Sequence, residues 1–301
     1  MLHLILSICI AYQPAGTTSV GDGLVTMSNI EFAEIGNQKK HKLSMDVVFP
    51  SNSVGSLPVV IFIHGGGWIE GRRQDGLRSI KMFAKGGYFA MTIDYRLAGQ
   101  GGFPDAVHDC KAAIRFVRKN ADELGINPDK IALVGFSAGG YLSTLVGVSS
   151  GNNLLDGSIN GTDITTEVTC VGSINGTVMP QRAKGIGKKI YEQWALRDKE
   201  TKLENTLPIT YLDKSDPPIY LLCGEEDSIC PVELTKEFTG FLETNNIDCK
   251  LEIIEGANHL IADPSAYLGL LQFIDKHLGG NSMDVLQKRL DEINVLGTGR
   301  N

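Results

Sequence analysis

From about residue 28 the chain alternates short apolar runs with longer segments whose apolar positions recur at helical spacing. Leu43–Phe49 alternates apolar and polar residues until Pro50 stops it, and with Asn29–Ile35 it predicts an opening antiparallel pair of strands. Val59–Ile63 (VVIFI) is a continuous run rich in β-branched residues, the pattern of a strand buried on both faces of a sheet, and Tyr88–Ile93 and Ile131–Val134 share it. Helices are predicted over Gly76–Lys85, Pro104–Leu124 and Ala138–Val148, the second carrying Ala106, Cys110, Ala113, Ile114 and Val117 on one face. Gly151–Thr165, rich in Gly, Asn, Ser and Thr, reads as a surface loop. Thr169–Ile174, Ile219–Cys223 and Lys250–Ile254 then predict three more strands, with helices at Pro231–Thr244 and Pro264–His277. Asp284–Val295 has the pattern of one further amphipathic helix. Strands alternating with helices over short connections imply a mostly parallel sheet with right-handed crossovers. The expectation is one α/β domain over residues 28–278, with 175–213 as a small cap- or lid-like insertion and 279–301 as a tail.

Composition narrows the function classes. A chain of 301 residues, 42% hydrophobic and 21% charged, suffices for one large core. The formal net charge is −7 with Lys and Arg scattered, which is no nucleic-acid footprint. Leu2–Ala11 is apolar but too short to span a bilayer, and no later segment is long enough. It has the length of the core of a signal peptide, yet no Lys or Arg precedes it and the small-residue cleavage pattern is poor. Secretion or periplasmic export is slightly favoured over a cytoplasmic location. The six cysteines show no CxxC spacing and no histidines at metal-ligand intervals, so no metal site is expected. Cys110, Cys170, Cys223 and Cys249 lie in apolar stretches and read as buried free thiols, whereas Cys230 lies in a loop, where a bond to Cys223 stays open.

Chemistry gathers at strand ends. Gly135-Phe136-Ser137-Ala138-Gly139 joins the strand IALV directly to a helical stretch. A strand that turns that sharply into a helix needs glycine two positions either side of the serine, and it leaves the hydroxyl exposed above a helix N-terminus. His64-Gly65-Gly66-Gly67-Trp68 follows VVIFI, and consecutive glycines can turn backbone N–H groups outward. Acyl transfer needs such donors where a carbonyl oxygen becomes negative. Gly65 or Gly66, together with Ala138, are the candidates; His64 is expected to brace the loop and Trp68 to wall the substrate pocket. The acid and base should follow later strands in the order Ser, acid, His. Gly224-Glu225-Glu226-Asp227 and Glu255-Gly256-Ala257-Asn258-His259 stand at those places. His259 is the candidate base by elimination among six histidines, and Asp227 the candidate acid, with Glu225 and Glu226 as rivals.

Seven motifs in order, HGGGW, DYRL (Asp94–Leu97), FPDAVHDC (Phe103–Cys110), PDKIALVGFSAGG, SDPP (Ser215–Pro218), GEED and GANH, resemble the esterase/lipase branch of the α/β-hydrolases over roughly residues 28–278. The resemblance is closest to the group of BD-FAE-type feruloyl and acetylxylan esterases. It implies the α/β-hydrolase fold, a mostly parallel central sheet with helices on both faces. It also implies a serine carboxylic ester hydrolase without metal or organic cofactor, acting on a small-molecule or carbohydrate-linked ester, with oxyanion donors at Gly65, Gly66 and Ala138. Two places depart from the pattern: Ser228-Ile229-Cys230-Pro231, where valine commonly precedes the proline, and 175–205, short for a lid. Arylformamidases share a similar glycine loop, so an amidase with the same triad is the alternative chemistry. An inactive binding relative is the alternative of another class. Oligomeric state is not legible in the sequence.

Overall fold

In the computed structural model, which describes residues 17–36 and 40–280, nine strands form one sheet in the order β1-β2-β3-β5-β4-β6-β7-β8-β9. They are β1 Thr17–Gly21, β2 Leu24–Ile35, β3 His41–Pro50, β4 Leu57–Ile63, β5 Phe89–Ile93, β6 Ile126–Phe136, β7 Cys170–Ile174, β8 Ile219–Gly224 and β9 Cys249–Ile254. β1 to β3 pair antiparallel, β3 pairs antiparallel with β5, and every pair from β5 through β9 is parallel.

The longer helices are α1 Leu77–Lys85, α2 Asp105–Lys119, α3 Ala138–Gly147, α4 Gly185–Ala195, α5 Val232–Thr244 and α6 Leu268–Leu278. The unbroken apolar run of β4 is explained by its neighbours on both faces. Val59, Ile61 and Ile63 enter the core shared with α2 and α3, while Val60 and Phe62 enter the core shared with α1 and α6. β7 and β8 divide likewise, Val171 and Leu221 packing towards α5, and Cys170, Tyr220 and Leu222 towards α6.

Several boundaries differ from the sequence pattern. The sheet begins at Thr17 rather than Asn29, because residues 17–21 pair with Leu24–Ser28 across a two-residue turn in which Asp22 and Gly23 both have positive φ. β1 is exposed along its whole length, so no hydrophobic period marked it. β6 starts at Ile126, earlier than its apolar part, and pairs there with Leu57. The stretch predicted as one helix to Leu124 breaks at Asn120, whose amide donates to the Phe116 carbonyl; a single turn Ala121–Leu124 follows and ends on left-handed Gly125. Within the loop 151–165 the Asn152 side chain caps one helical turn, Asn153–Asp156. The apolar segment 2–11, the tail from 281 and the helical pattern 284–295 lie outside the described residues.

Candidate active site

β6 lies between β4 and β7, and the segments that follow these strands meet at one edge of the sheet. Ser137 stands between β6 and α3 with φ +54°. A Cβ on Gly135 would overlap the Gly139 carbonyl, and one on Gly139 would overlap the Ile63 carbonyl, so neither position tolerates a side chain. The Ser137 N–H donates to the Ile174 carbonyl (2.9 Å). The next N–H, that of Ala138, sits in the first turn of α3, where no intrahelical acceptor exists.

The glycine loop after β4 packs against this elbow. Gly65 lies so close that a Cβ there would meet the ring and carbonyl of Phe136 and the Cβ of Ser137. Gly66 has φ +114°, and its carbonyl accepts the N–H groups of Ile69 and Glu70 in a tight turn. None of the N–H groups of Gly65, Gly66 and Ala138 has an acceptor among the described residues. His64 is buried with its Nδ1 2.7 Å from the Gly65 carbonyl oxygen, and its ring stacks on Tyr95, whose hydroxyl donates to the His64 carbonyl. Burial lowers its pKa, so it stays neutral and donates from Nδ1. It braces the loop.

The DYRL and FPDAVHDC motifs form the frame behind that loop. Asp94 accepts from the Arg73 backbone N–H and guanidinium, and Arg73 also reaches Asp46 (2.9 Å) and Asn29. Arg96 forks onto buried Asp109 (2.7 and 2.9 Å) and pairs with Asp105 (2.8 Å), joining the end of β5 to α2.

The remaining groups arrive from further away. β9 is three strands from β6, roughly 14 Å at the usual inter-strand spacing, so the loop after it must cross the ends of β8 and β7. Gly224 lets it pass, since a Cβ there would overlap the Ala257 and Asn258 carbonyls. Asn175 then clamps the crossing: its Oδ1 accepts the Gly224 N–H (2.8 Å), and its Nδ2 donates to the His259 carbonyl (2.7 Å). The result is a chain of hydrogen bonds, with His259 Nε2 3.0 Å from Ser137 Oγ and His259 Nδ1 2.7 Å from Asp227 Oδ2. Asp227 Oδ1 accepts the N–H groups of Ile229 and Cys230 (2.8 and 2.9 Å). An ionised carboxylate only accepts, so Nδ1 carries the imidazole proton and the Nε2 lone pair faces the Ser137 hydroxyl. The Phe136 ring packs beside the imidazole (5.1 Å between centroids).

Of the rival acids, Glu226 is exposed, and Glu225 accepts the Gly256 N–H and holds the crossing loop; Asp227 alone of the three meets His259. Cys230 and Cys223 are both free, so the open disulfide is not formed. The Cys230 thiol lies by Thr177, and burial pushes its pKa up to about 12, so it is a neutral neighbour rather than a second nucleophile. Asp227, Cys230 and His259 bring ligand-type atoms within 4.8 Å of one another, but the carboxylate and Nδ1 atoms are already engaged in the hydrogen bonds above.

Trp68 does not wall an open pocket. It is buried, stacks on Trp194 of α4 (4.9 Å, 8° between planes), and meets Tyr141 of α3 edge-on. It fastens the glycine loop to the insertion 175–213, whose helix α4 also places Ile190 against Gly67. The sequence carried no signal for Asn175, whose φ of +46° and buried amide emerge only when β7, β8 and the His259 loop meet.

The comparisons with known proteins agree with this architecture. A truncated carbohydrate esterase from gut microbiota superposes with TM-score 0.73 at 21% identity over 89% of this chain and 99% of that one. Thermogutta terrifontis esterase 2 superposes with TM-score 0.69 at 23% identity over 88% and 94%. Both likenesses establish the α/β-hydrolase fold. Among curated proteins, Esterase LipC of Mycobacterium tuberculosis is 28% identical over 221 residues, 66% of this chain and 54% of LipC. Isoprenylcysteine alpha-carbonyl methylesterase ICME of Arabidopsis thaliana is 28% identical over 239 residues, 74% and 55% of the two chains. The chain thus spans about half the length of these curated relatives. The BD-FAE family model matches residues 45–242, which include the glycine loop, the elbow and Asp227. With two thirds of its length matched, this chain belongs to the BD-FAE family.

Proposed function

We propose that the protein is a serine carboxylic ester hydrolase, with Ser137 as nucleophile, His259 as base and Asp227 as the group that orients it. The observation that carries this reading is the hydrogen-bonded chain Ser137–His259–Asp227, at 3.0 and 2.7 Å. His259 Nε2 takes the hydroxyl proton as Ser137 Oγ adds to the ester carbonyl. The oxygen that becomes negative is held by the N–H of Ala138 and that of Gly65 or Gly66, and one such donor contributes ~3–4 kcal/mol at the transition state. His259 returns the proton to the departing alcohol. Water then repeats the sequence and releases the acid from Ser137.

Membership of the BD-FAE family supports acetyl or feruloyl esters, including those borne by carbohydrate, as the substrate class. The close seating of α4 on the glycine loop supports short acyl groups, because on the α4 side of the loop it takes up space a long chain would need. An open apolar channel would add about 0.8 kcal/mol per buried CH₂ and favour long chains. Hydrolysis of a 4-nitrophenyl ester series, with acetylated xylan and methyl ferulate alongside, tests both levels. The expected kcat/KM is greatest from acetyl to butyryl and falls beyond hexanoyl. An optimum at octanoyl or longer removes the short-acyl reading, and no turnover of any ester removes ester hydrolysis itself.

A further inference from the structure

Next to the nucleophile a trough runs between α1 and the segment 260–267. Its inner part, a cavity of about 320 Å³, is lined by Gly65, by Phe136 just before Ser137, and by Leu260 just after His259. Arg78, Ile261 and Tyr267 line both this part and an outer cavity of about 520 Å³, which continues to Met82, Lys81 and Lys85. Arg78, Lys81 and Lys85 recur at three- and four-residue spacing on one face of α1 and extend along it for roughly 10 Å. All three are exposed, and none makes a hydrogen bond or ion pair with a described residue. Two of the neighbouring carboxylates are occupied elsewhere, and a third, Asp22, shares a second groove with Lys81 and Lys85 without an ion pair to either. Asp75, on the inner lining, accepts the Arg72 N–H and lies 3.5 Å from the Arg72 guanidinium. Asp263, next to Ala262 of the outer lining, accepts the N–H and hydroxyl of Ser265. On a chain of net charge −7, three unpaired cations therefore line the outer end of a trough whose inner walls are Phe62, Phe136 and Ile261.

We propose that this trough is a substrate subsite for esters whose non-reacting end carries a carboxylate. The apolar stem lies along Phe136, Ile261 and Tyr267, and the carboxylate reaches the cations of α1 at the outer end, away from Asp75. The proposal rests on the ester-hydrolase reading above and adds the substrate class. Exposed ion pairs contribute little individually and are screened by salt. The expected preference is therefore about tenfold rather than many orders of magnitude.

Two matched ester pairs test it on the whole chain at low and at high salt. The 4-nitrophenyl monoester of glutaric acid against 4-nitrophenyl pentanoate puts the charge on the acyl side. 4-Acetoxybenzoate against 4-acetoxybenzamide puts it on the alcohol side. In at least one pair the anionic member is expected to have about tenfold higher kcat/KM, carried by KM and shrinking with salt. Whichever pair shows it identifies the end of the ester that occupies the trough. In the triple variant Arg78→Gln, Lys81→Gln, Lys85→Gln the ratio is expected to fall to about one, with the salt dependence gone. Equal rates within both pairs for the wild type, or a preference that survives in the triple variant, overturn the subsite. Failure of every ester, neutral and anionic, instead overturns the ester-hydrolase reading on which it rests.

Discussion

Ser137 holds a positive φ, rare for a residue with a side chain, because Gly135 and Gly139 let β6, β4 and α3 close around it. Gly139→Ala would force a Cβ onto the Ile63 carbonyl, and backbone cannot move aside as a flexible side chain can. The expected outcome is loss of activity together with a lowered Tm, and a variant with native Tm would contradict the packing described. Asp227→Asn keeps the shape but presents an amide to His259. It should retain the fold and lose kcat by about 10⁴, as when an imidazole is held in the wrong tautomer. A drop under tenfold would place the orienting role elsewhere.

Lys111 supplies a test away from the site. Burial lowers its pKa from 10.5 to about 8 against the opposing pull of Asp156, 2.6 Å away. The folded chain thus releases this proton more readily than the unfolded chain, and between about pH 8 and 10.5 unfolding takes up a proton. The contribution of Lys111 to stability therefore rises with pH across that window and is constant below it. Urea unfolding of wild type and Lys111→Met should show the difference shifting in favour of the wild type from pH 8 upward. A difference that stays flat would contradict it.

At the scale of elements, the glycine loop is held from two sides. On one, Arg96 forks onto Asp109, whose carboxylate is fully buried. Arg96→Ala strands that charge, and losing one partner of a buried pair costs about 3–5 kcal/mol. On the other side, Trp68 packs among Trp194, Tyr141 and Tyr191. Trp68→Ala should cost about 3–5 kcal/mol by leaving a cavity, and it should lower kcat as the loop loosens. Denaturant unfolding and steady-state kinetics measure both effects; native stability in Trp68→Ala would show that the stack does not fasten the loop.

Across the whole molecule, what the sequence made legible were features that local physics forces. Strands buried on two faces, such as Val59–Ile63, cannot hide their apolar runs. The elbow needs glycines, and His259 and Asp227 stand directly after strand-like runs. What escaped depended on distant contacts. Exposed β1 has no apolar period to read, and Asn175 becomes a clamp only through Gly224 and His259. Trp68 was not legible because a tryptophan beside a glycine loop suits a pocket wall and a buried stack equally well. Only the position of Trp194, across an insertion with no clear period, decides between them.

If these distant segments assemble one activated nucleophile at Ser137, covalent trapping will find it. The chain is incubated with an uncharged alkyl fluorophosphonate, which loses fluoride when an activated serine oxygen attacks phosphorus, and the adduct is located by peptide mass spectrometry. The expected result is one phosphonyl group per chain, carried on Ser137, with labelling much slowed in Asp227→Asn. An unlabelled chain, or an adduct on any residue other than Ser137, would contradict it.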